Sequence, residues 1–229
     1  TTWSDGANSL EEMVEAAIER GYDYITITDH SKFLQVANGL DEKRLLKQRE
    51  EIERINDKYD EIKVFAGVEM DILPSGELDF TDDFLKHMDW VIAAIHSSFN
   101  QSEEEIMERL QRACENKYVD MIAHPTGRLI GRREGYQVNV DRLIDLAAET
   151  NTALELNANP MRFDLAPKWL KKAQEKQVPI GINTDAHRVE TLCHMEYGVK
   201  VARQAWLKKT DLLNCWDLVQ FEQFINRNK

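Results

Sequence analysis

Residues 90–96 read WVIAAIH, six apolar positions in a row closing on a histidine. An unbroken apolar run without polar alternation is the pattern of a parallel β-strand covered on both faces. The same design recurs in both directions along the chain. Upstream lie YITITDH (Tyr24–His30) and VFAGVE (Val64–Glu69). Downstream lie VDMIAH (Val119–His124), ALELN (Ala153–Asn157) and PIGINTD (Pro179–Asp185), with His187 just beyond the last. The closing residues fall at 30, 69, 96, 124, 157 and 185, separations of 39, 27, 28, 33 and 28 residues. A strand–helix–strand unit takes roughly 30 residues, and a barrel of such units gathers the C-terminal ends of its strands on one face, where catalytic residues sit. The spacing therefore predicts four histidines, two acidic residues and an asparagine converging on one rim.

Helical patterns fill the intervals. Ser9 with Glu12 has capping-box spacing, Leu10, Met13, Val14, Ala17 and Ile18 follow at helical period, and Gly21 ends the pattern. Leu40–Tyr59 reads as a longer, charge-rich helix with Leu45, Leu46, Ile52 and Ile55 inward. Ser102–Asn116 opens on a Ser cap and three glutamates that suit a helix N-terminus. Val140–Thr150, Ala166–Lys176 with Pro167 at its start, Leu192–Lys208 and Trp216–Asn226 complete the set. The longest loop, Asp71–Asp83, is acidic and follows Glu69. No Pro/Gly/Ser-rich linker divides the chain, so residues 1–229 read as one α/β domain, a (β/α) barrel. A doubly wound open sheet is the alternative, but it would concentrate its site at a single switch point.

With 42% apolar residues the chain can bury a core, and its net charge is −12, from 41 acidic against 29 basic residues. That balance argues against an autonomous nucleic-acid clamp, though not against an enzyme that attracts cations and acts at a phosphate. No apolar stretch of 18 residues suggests a membrane span. Cys114, Cys193 and Cys215 are odd in number and lack CxxC spacing, which fits a reducing, cytoplasmic setting and three buried small apolar residues. Thr1–Gly6 (TTWSDG) reads as the loop after a strand, so a first strand is expected to be missing.

Asp5, His30, Glu69, His96, His124, Asp185 and His187 together form a metal-binding set. Imidazole with carboxylate suits Zn, Mn or Fe and not Ca. Seven ligands exceed what one tetrahedral ion needs, and paired metals serve phosphoryl displacement. Each residue alone has a blander reading as a hydrogen-bonded rim or core residue, but four of the six histidines sit at or just after strand ends. His87 and His194 do not, and read as surface or packing residues; Asp29 reads as a supporting partner or a cap. Trp169, Trp206 and Trp216 read as helical core residues, and Trp3 as the one tryptophan near the site. Near the rim, Lys32, Arg128 and Arg162, with Asn157, are the expected substrate contacts, since Arg suits bidentate phosphate recognition. Arg132, Arg133 and Tyr136 lie in the loop beyond Arg128. No GxSxG, Walker A or GxGxxG pattern is present.

The motifs TTWSDG (Thr1–Gly6), ITDHS (Ile27–Ser31), GVEMDI (Gly67–Ile72), AIHSS (Ala94–Ser98), AHPTGR (Ala123–Arg128), ELNANPMRFDL (Glu155–Leu165) and INTDAH (Ile182–His187) carry a resemblance to the PHP (polymerase and histidinol phosphatase) domain. The chain more closely resembles the C-terminal PHP domain of bacterial family X DNA polymerases, over essentially its whole length. The resemblance implies a distorted (β/α)7 TIM-like barrel holding two or three divalent metals. Asp5, His30 and His187 would hold one. Glu69, His96 and His124 would hold a second, and Glu69 would bridge to a third that Asp185 helps bind. It also implies Mn-dependent 3′–5′ exonuclease activity on a nucleic-acid end, beside a polymerase domain on the same longer chain. The family's His-x-His motif belongs directly before Thr1 and is absent here, so this stretch is expected to lack the first strand, to keep two metals at most and to be weakly active or inactive.

The expected chemistry is metal-assisted phosphodiester hydrolysis centred on His30, Glu69, His124 and Asp185, with Arg128 and Arg162 on phosphate oxygens and no general acid assigned. A small-molecule phosphomonoesterase of the histidinol-phosphatase type is the alternative on the same chemistry. A non-catalytic, metal-stabilised scaffold for the polymerase is the alternative of a different class.

Overall fold

The computed structural model describes residues 1–227. Six parallel strands, β1 (Tyr24–Ile27), β2 (Lys63–Asp71), β3 (Trp90–Ala94), β4 (Met121–Ile122), β5 (Ala153–Asn157) and β6 (Ile180–Asn183), pair strictly in chain order. Sequential order leaves no switch point, which excludes the doubly wound sheet. The sheet is curled into a half-barrel, with six strands where the resemblance implies a seven-stranded barrel. Its ends, β1 and β6, do not pair with each other, and the segment around Leu212–Trp216 lies between them. Tyr24 donates its hydroxyl to the Leu213 carbonyl at 2.7 Å, and Leu212 bridges Ile180.

The helices follow the sequence pattern closely. Both α1 (Leu10–Glu19) and α4 (Glu103–Glu115) carry the reciprocal capping box at Ser9 and Ser102, and Gly21 takes the positive φ (70°) that ends α1. Next come α2 (Glu42–Lys58), capped by Asp41, and the single turn α3 (Asp82–Leu85). The last four are α5 (Val140–Thr150), α6 (Pro167–Glu175), α7 (Met195–Gln204) and α8 (Leu218–Ile225). Leu46 is 40% exposed, so Gln48 and not Leu46 completes the buried face of α2. Trp206 also departs from expectation. It lies beyond α7 with a left-handed backbone and is 80% exposed. Trp216 precedes α8 and packs on Phe224, whereas Trp169 lies in α6 against the core. Of the cysteines, only Cys114 is buried. No described helix is long and apolar enough to cross a membrane.

Strand alternation sorts the apolar residues into two layers. Val68, Met70, Val91, Ala93, Ile122, Leu154, Leu156, Ile180 and Ile182 pack outward beneath the helices. Phe65, Trp90, Ile92, Met121 and Ala153 point to the concave side, where α8 closes the bottom with Phe221, Phe224 and Ile225. This two-residue period aims the polar strand ends. Glu69 and Asp71 share the inward parity of Phe65, His96 that of Ile92, Glu155 and Asn157 that of Ala153, and Asp185 that of Gly181 and Asn183.

Candidate metal centre

Six of the seven ligand-type residues reach the rim by simple continuation of a strand or its adjoining loop. His30 lies just past β1 and bridges Glu69 of β2. His96 and Asp185 lie two residues beyond β3 and β6. Asp5 and His187 come from the first loop and the loop after β6, which are tied by the Ala7 amide donating to the His187 carbonyl at 2.7 Å. The exception is His124. By parity it would follow Ile122 outward, but its φ of 27° turns it to the concave side. Asp185 is also left-handed, with φ 51°. Strained backbone at two ligand-type residues is the kind of feature that surrounding structure sustains at functional sites.

Glu69, 8% exposed, is the hub. Its Oε1 lies 3.1 Å from His96 Nε2 and 3.0 Å from His124 Nε2, and its Oε2 lies 3.4 Å from His30 Nδ1. Burial alone would raise the Glu69 carboxyl. The imidazoles, His30 foremost, hold it well below the usual carboxylate range. On the open side, Asp5 Oδ1 lies 3.9 Å from His30 Nε2 and 3.5 Å from His187 Nε2. The donor atoms of Asp5, His30 and His187, and those of His30, Glu69 and His96, form two groups in which every pair lies within 4.8 Å. His30 thus joins both. His124 reaches the second group through Glu69, and Asp185 reaches the first through His187, 3.7 Å away.

This donor set fits divalent metals. All ligands are imidazole nitrogen or carboxylate oxygen, and the buried Nδ1 atoms of His30 and His124 have no hydrogen-bond partner. Burial pushes the His124 imidazole below its ordinary value, towards the neutral form that binds metals. His96 goes the other way: against its burial, Asp71 and Glu69 raise it to about 10, so metal binding there must displace a proton.

The four expected substrate contacts fare differently. Arg162 Nε lies 3.5 Å from Asp185 Oδ2, and its Nη1 is buried without a partner. Arg128 donates from Nε to the Arg162 carbonyl at 2.8 Å and from Nη2 to the Phe163 carbonyl, so it staples the loop after β4 to the loop after β5. Asn157, fully buried, donates to Asp185 Oδ2 and Glu155 Oε2, both at 3.2 Å. Lys32 is paired with Glu42 at 2.5 Å, its side chain 40% exposed, and so is committed outside the cluster. Arg133 stacks its guanidinium 4.2 Å over Phe99, which stacks in turn on Tyr136. Trp3 donates to Glu51 at 2.9 Å beneath the first loop. Asp29 accepts from Thr1 Oγ1, Ser4 Oγ and Gln48 Nε2, and so anchors the loop that carries Asp5. His87 and His194 stand apart from the cluster, as expected.

Two buried carboxylates at the site escaped the sequence reading. Asp71 accepts from His96 Nδ1 at 3.1 Å. Glu155 accepts from the His124 amide, from Asn157 and from Asn183 Nδ2, the last at 2.9 Å. Burial, with Asp185 next, raises Glu155 to about 8. Inward strand parity is the signal that marks both. Below this rim a cavity of about 620 Å³ runs between β1 and β6, reached by His30, Glu69, His124, Glu155 and Asp185.

Residues 1–159 match the PHP domain family, and the chain belongs to it. Over 228 residues the chain is 56% identical to the "DNA polymerase/3′-5′ exonuclease PolX" of Bacillus subtilis (strain 168), a match covering 100% of this chain and 40% of that protein. The chain therefore spans well under half of that relative's length. It is 26% identical to a "Probable phosphatase" of Thermoanaerobacter sp. (strain X514), over 97% of this chain and 89% of the other. The fold matches, with a TM-score of 0.68, that of the histidinol phosphate phosphatase of Lactococcus lactis subsp. lactis Il1403, solved with zinc, L-histidinol and phosphate. That structure is 17% identical, with 91% of this chain and 92% of that one covered, a likeness of fold alone.

Proposed function

We propose that this domain is a metal-dependent phosphoesterase whose substrate is a phosphodiester at the 3′ end of a nucleic acid, delivered by a polymerase domain on the same longer chain. The observation that carries the reading is Glu69, one buried carboxylate shared by the imidazoles of His30, His96 and His124. Two overlapping donor groups beside an open cavity suit a multi-metal phosphoesterase centre. The 56% identity to a protein named as polymerase and exonuclease favours a diester over a small monoester. The net charge of −12 fits a domain that does not hold nucleic acid unaided.

Asp5, His30 and His187 would hold one ion, and Glu69, His96 and His124 another, with Glu69 and Asp185 available to a third; manganese, zinc and iron all suit these donors. Ions bound there would supply charge against the phosphate oxygens and lower the pKa of water towards neutrality. The chain's own residues set the geometry. Arg162, with Nη1 uncommitted, offers a guanidinium to a phosphate oxygen, and Asn157 and Arg162 together hold Asp185. Arg128 fixes the loop that presents Arg162. His30 and His124 reach Glu69 through ring nitrogens, so neither is free to act as an independent base.

The test is protein stripped with chelator, reloaded with Mn²⁺, and offered a 5′-labelled single-stranded oligonucleotide and p-nitrophenyl phosphate in parallel. Stepwise shortening from the 3′ end that needs the metal is the expected result. Phosphate release from the monoester with the oligonucleotide intact would install the phosphomonoesterase reading instead. Inactivity on both, with metal bound, would leave a scaffold.

A further inference from the structure

The geometry points to Asp71 as a positioning residue that holds His96 through Nδ1–H with Nε2 turned to Glu69, and that locks three ligand-bearing segments to one another. This rests on the metal-centre reading above. Asp71 ends β2 and is 0% exposed. Its Oδ1 lies 3.1 Å from His96 Nδ1. A carboxylate can only accept, so Nδ1 carries a hydrogen held by Asp71, and Nε2, 3.1 Å from Glu69, is the nitrogen whose proton a metal would displace. Outer carboxylates that hold a histidine in this way orient the ring and raise its basicity as a ligand.

The same residue reaches the His30 segment. The Asp71 amide donates to Ser31 Oγ at 3.0 Å, and that hydroxyl faces Asp71 Oδ2 at 3.5 Å. Ser31 follows His30 directly, and its own amide donates to the Glu69 carbonyl at 3.0 Å. Three segments, carrying His30, Glu69 and His96, are thus joined through Asp71. Arg109, an α4 residue only 1% exposed, braces the arrangement. It donates to the carbonyl of Ile72, which follows Asp71, and at 3.1 Å to the carbonyl of Ser97, which follows His96. A buried cation is thereby fastened to the residue after each member of the Asp71–His96 pair. Support of this kind accounts for the placement of a buried carboxylate that has no direct access to the open side of the centre.

The experiment measures Mn²⁺ and Zn²⁺ affinity by titration of chelator-stripped wild type, Asp71→Asn and Asp71→Ala, alongside the melting temperature of each metal-free form. Removing an outer carboxylate that holds a metal-binding histidine typically weakens metal binding by about 10- to 100-fold. We expect Asp71→Ala near the upper end. Asp71→Asn, whose amide oxygen still accepts from Nδ1 but carries no charge, should be weakened by about tenfold. The His96 Nδ1–H resonance, downfield in the metal-loaded wild type, should be retained in Asp71→Asn and lost in Asp71→Ala. Affinities equal to wild type in the folded variants would overturn the assignment, even if their melting temperatures fall, because a purely structural Asp71 predicts that pattern. Should Asp71→Ala fail to fold, the near-isosteric Asp71→Asn decides alone: a tenfold loss supports the role and an unchanged affinity ends it. A wild type that binds neither ion fails at the earlier step and takes both readings down.

Discussion

Arg128 and Arg162 look equivalent in sequence, each four or five residues past a strand-end polar residue, and the fold gives them different work. Arg128 spends its hydrogen bonds on the carbonyls of Arg162 and Phe163, whereas Arg162 keeps Nη1 uncommitted beside Asp185. Backbone carbonyls are acceptors that residue type does not announce, so no reading of side chains could have separated the two. Arg162→Ala should lower kcat/KM by about 10- to 100-fold, the cost of a charged hydrogen bond of ~1.5–3 kcal/mol, with little change in stability. Arg128→Ala should lower stability by about 1–3 kcal/mol and affect kinetics only through the loop it holds. Steady-state kinetics and urea melts on both variants check this, and reversed phenotypes would exchange the roles. His124 was legible as a site residue because of its place after an apolar run, although its inward direction depends on a left-handed φ that its sequence does not reveal. Glu155 and Asp71 were legible in principle, through their parity with Ala153 and Phe65, but in a run read as wholly apolar the alternation carries little contrast.

At the scale of elements, apolar runs and capping boxes located strands and helices well, and failures gather where chain segments meet without a local signal. Trp206 reads as core by composition yet lies past the end of α7, 80% exposed, because the helix stops at Gln204 and the chain turns. The packing of α7 depends instead on Gly198. A Cβ there would stand 2.4 Å from Ile182 Cγ2 and 2.8 Å from the Ala158 Cβ, so the helix backbone lies directly on the ends of β5 and β6. Gly198→Ala forces α7 off the sheet at the strand that leads into Asp185 and His187. Overpacking of this kind typically costs about 1–3 kcal/mol. The variant should melt several degrees lower and bind metal more weakly, as followed by calorimetry with and without Mn²⁺. A wild-type melting temperature would show that α7 can shift freely. The six strands in sequential order were foreseeable from the spacing of the apolar runs, and an open sheet was expected from the reading of Thr1–Gly6 as the loop after a missing strand.

Over the whole molecule, the metal-free centre concentrates titratable groups whose displaced pKa values act on stability in opposed directions. Glu69 and His124, both lowered, favour higher pH, while the two large upward shifts, at Glu155 and His96, favour lower pH and set the net slope above the glutamate range. Glu155 is raised from 4.5 to about 8 by burial and by Asp185. The folded state therefore keeps a proton that the unfolded chain releases, and stability falls as pH rises from the ordinary glutamate range through about 8. His96, raised to about 10 by Asp71 and Glu69 against its burial, contributes stability that is complete below about 6.5 and is lost as pH rises through about 10. The stripped domain should consequently be more stable at pH 5.5 than at pH 8 by on the order of a few kcal/mol, since each tenfold difference in proton affinity between folded and unfolded chain is worth about 1.4 kcal/mol. Glu155→Gln should flatten that slope in urea unfolding; parallel slopes for the two proteins would refute the assignment to Glu155. Metal binding reverses the dependence, because it requires His96 deprotonated and is favoured by rising pH. The functional reading stands or falls on ligands from separate strands meeting at Glu69 in one multi-metal centre, and metal content per chain measures that without an assumed substrate. Elemental analysis of protein purified without chelator should find about two divalent ions per wild-type chain, on the reading of two donor groups, and about one in Glu69→Ala, which keeps the Asp5, His30 and His187 group but loses the other. Wild type without bound metal, or Glu69→Ala retaining the full complement, would contradict it.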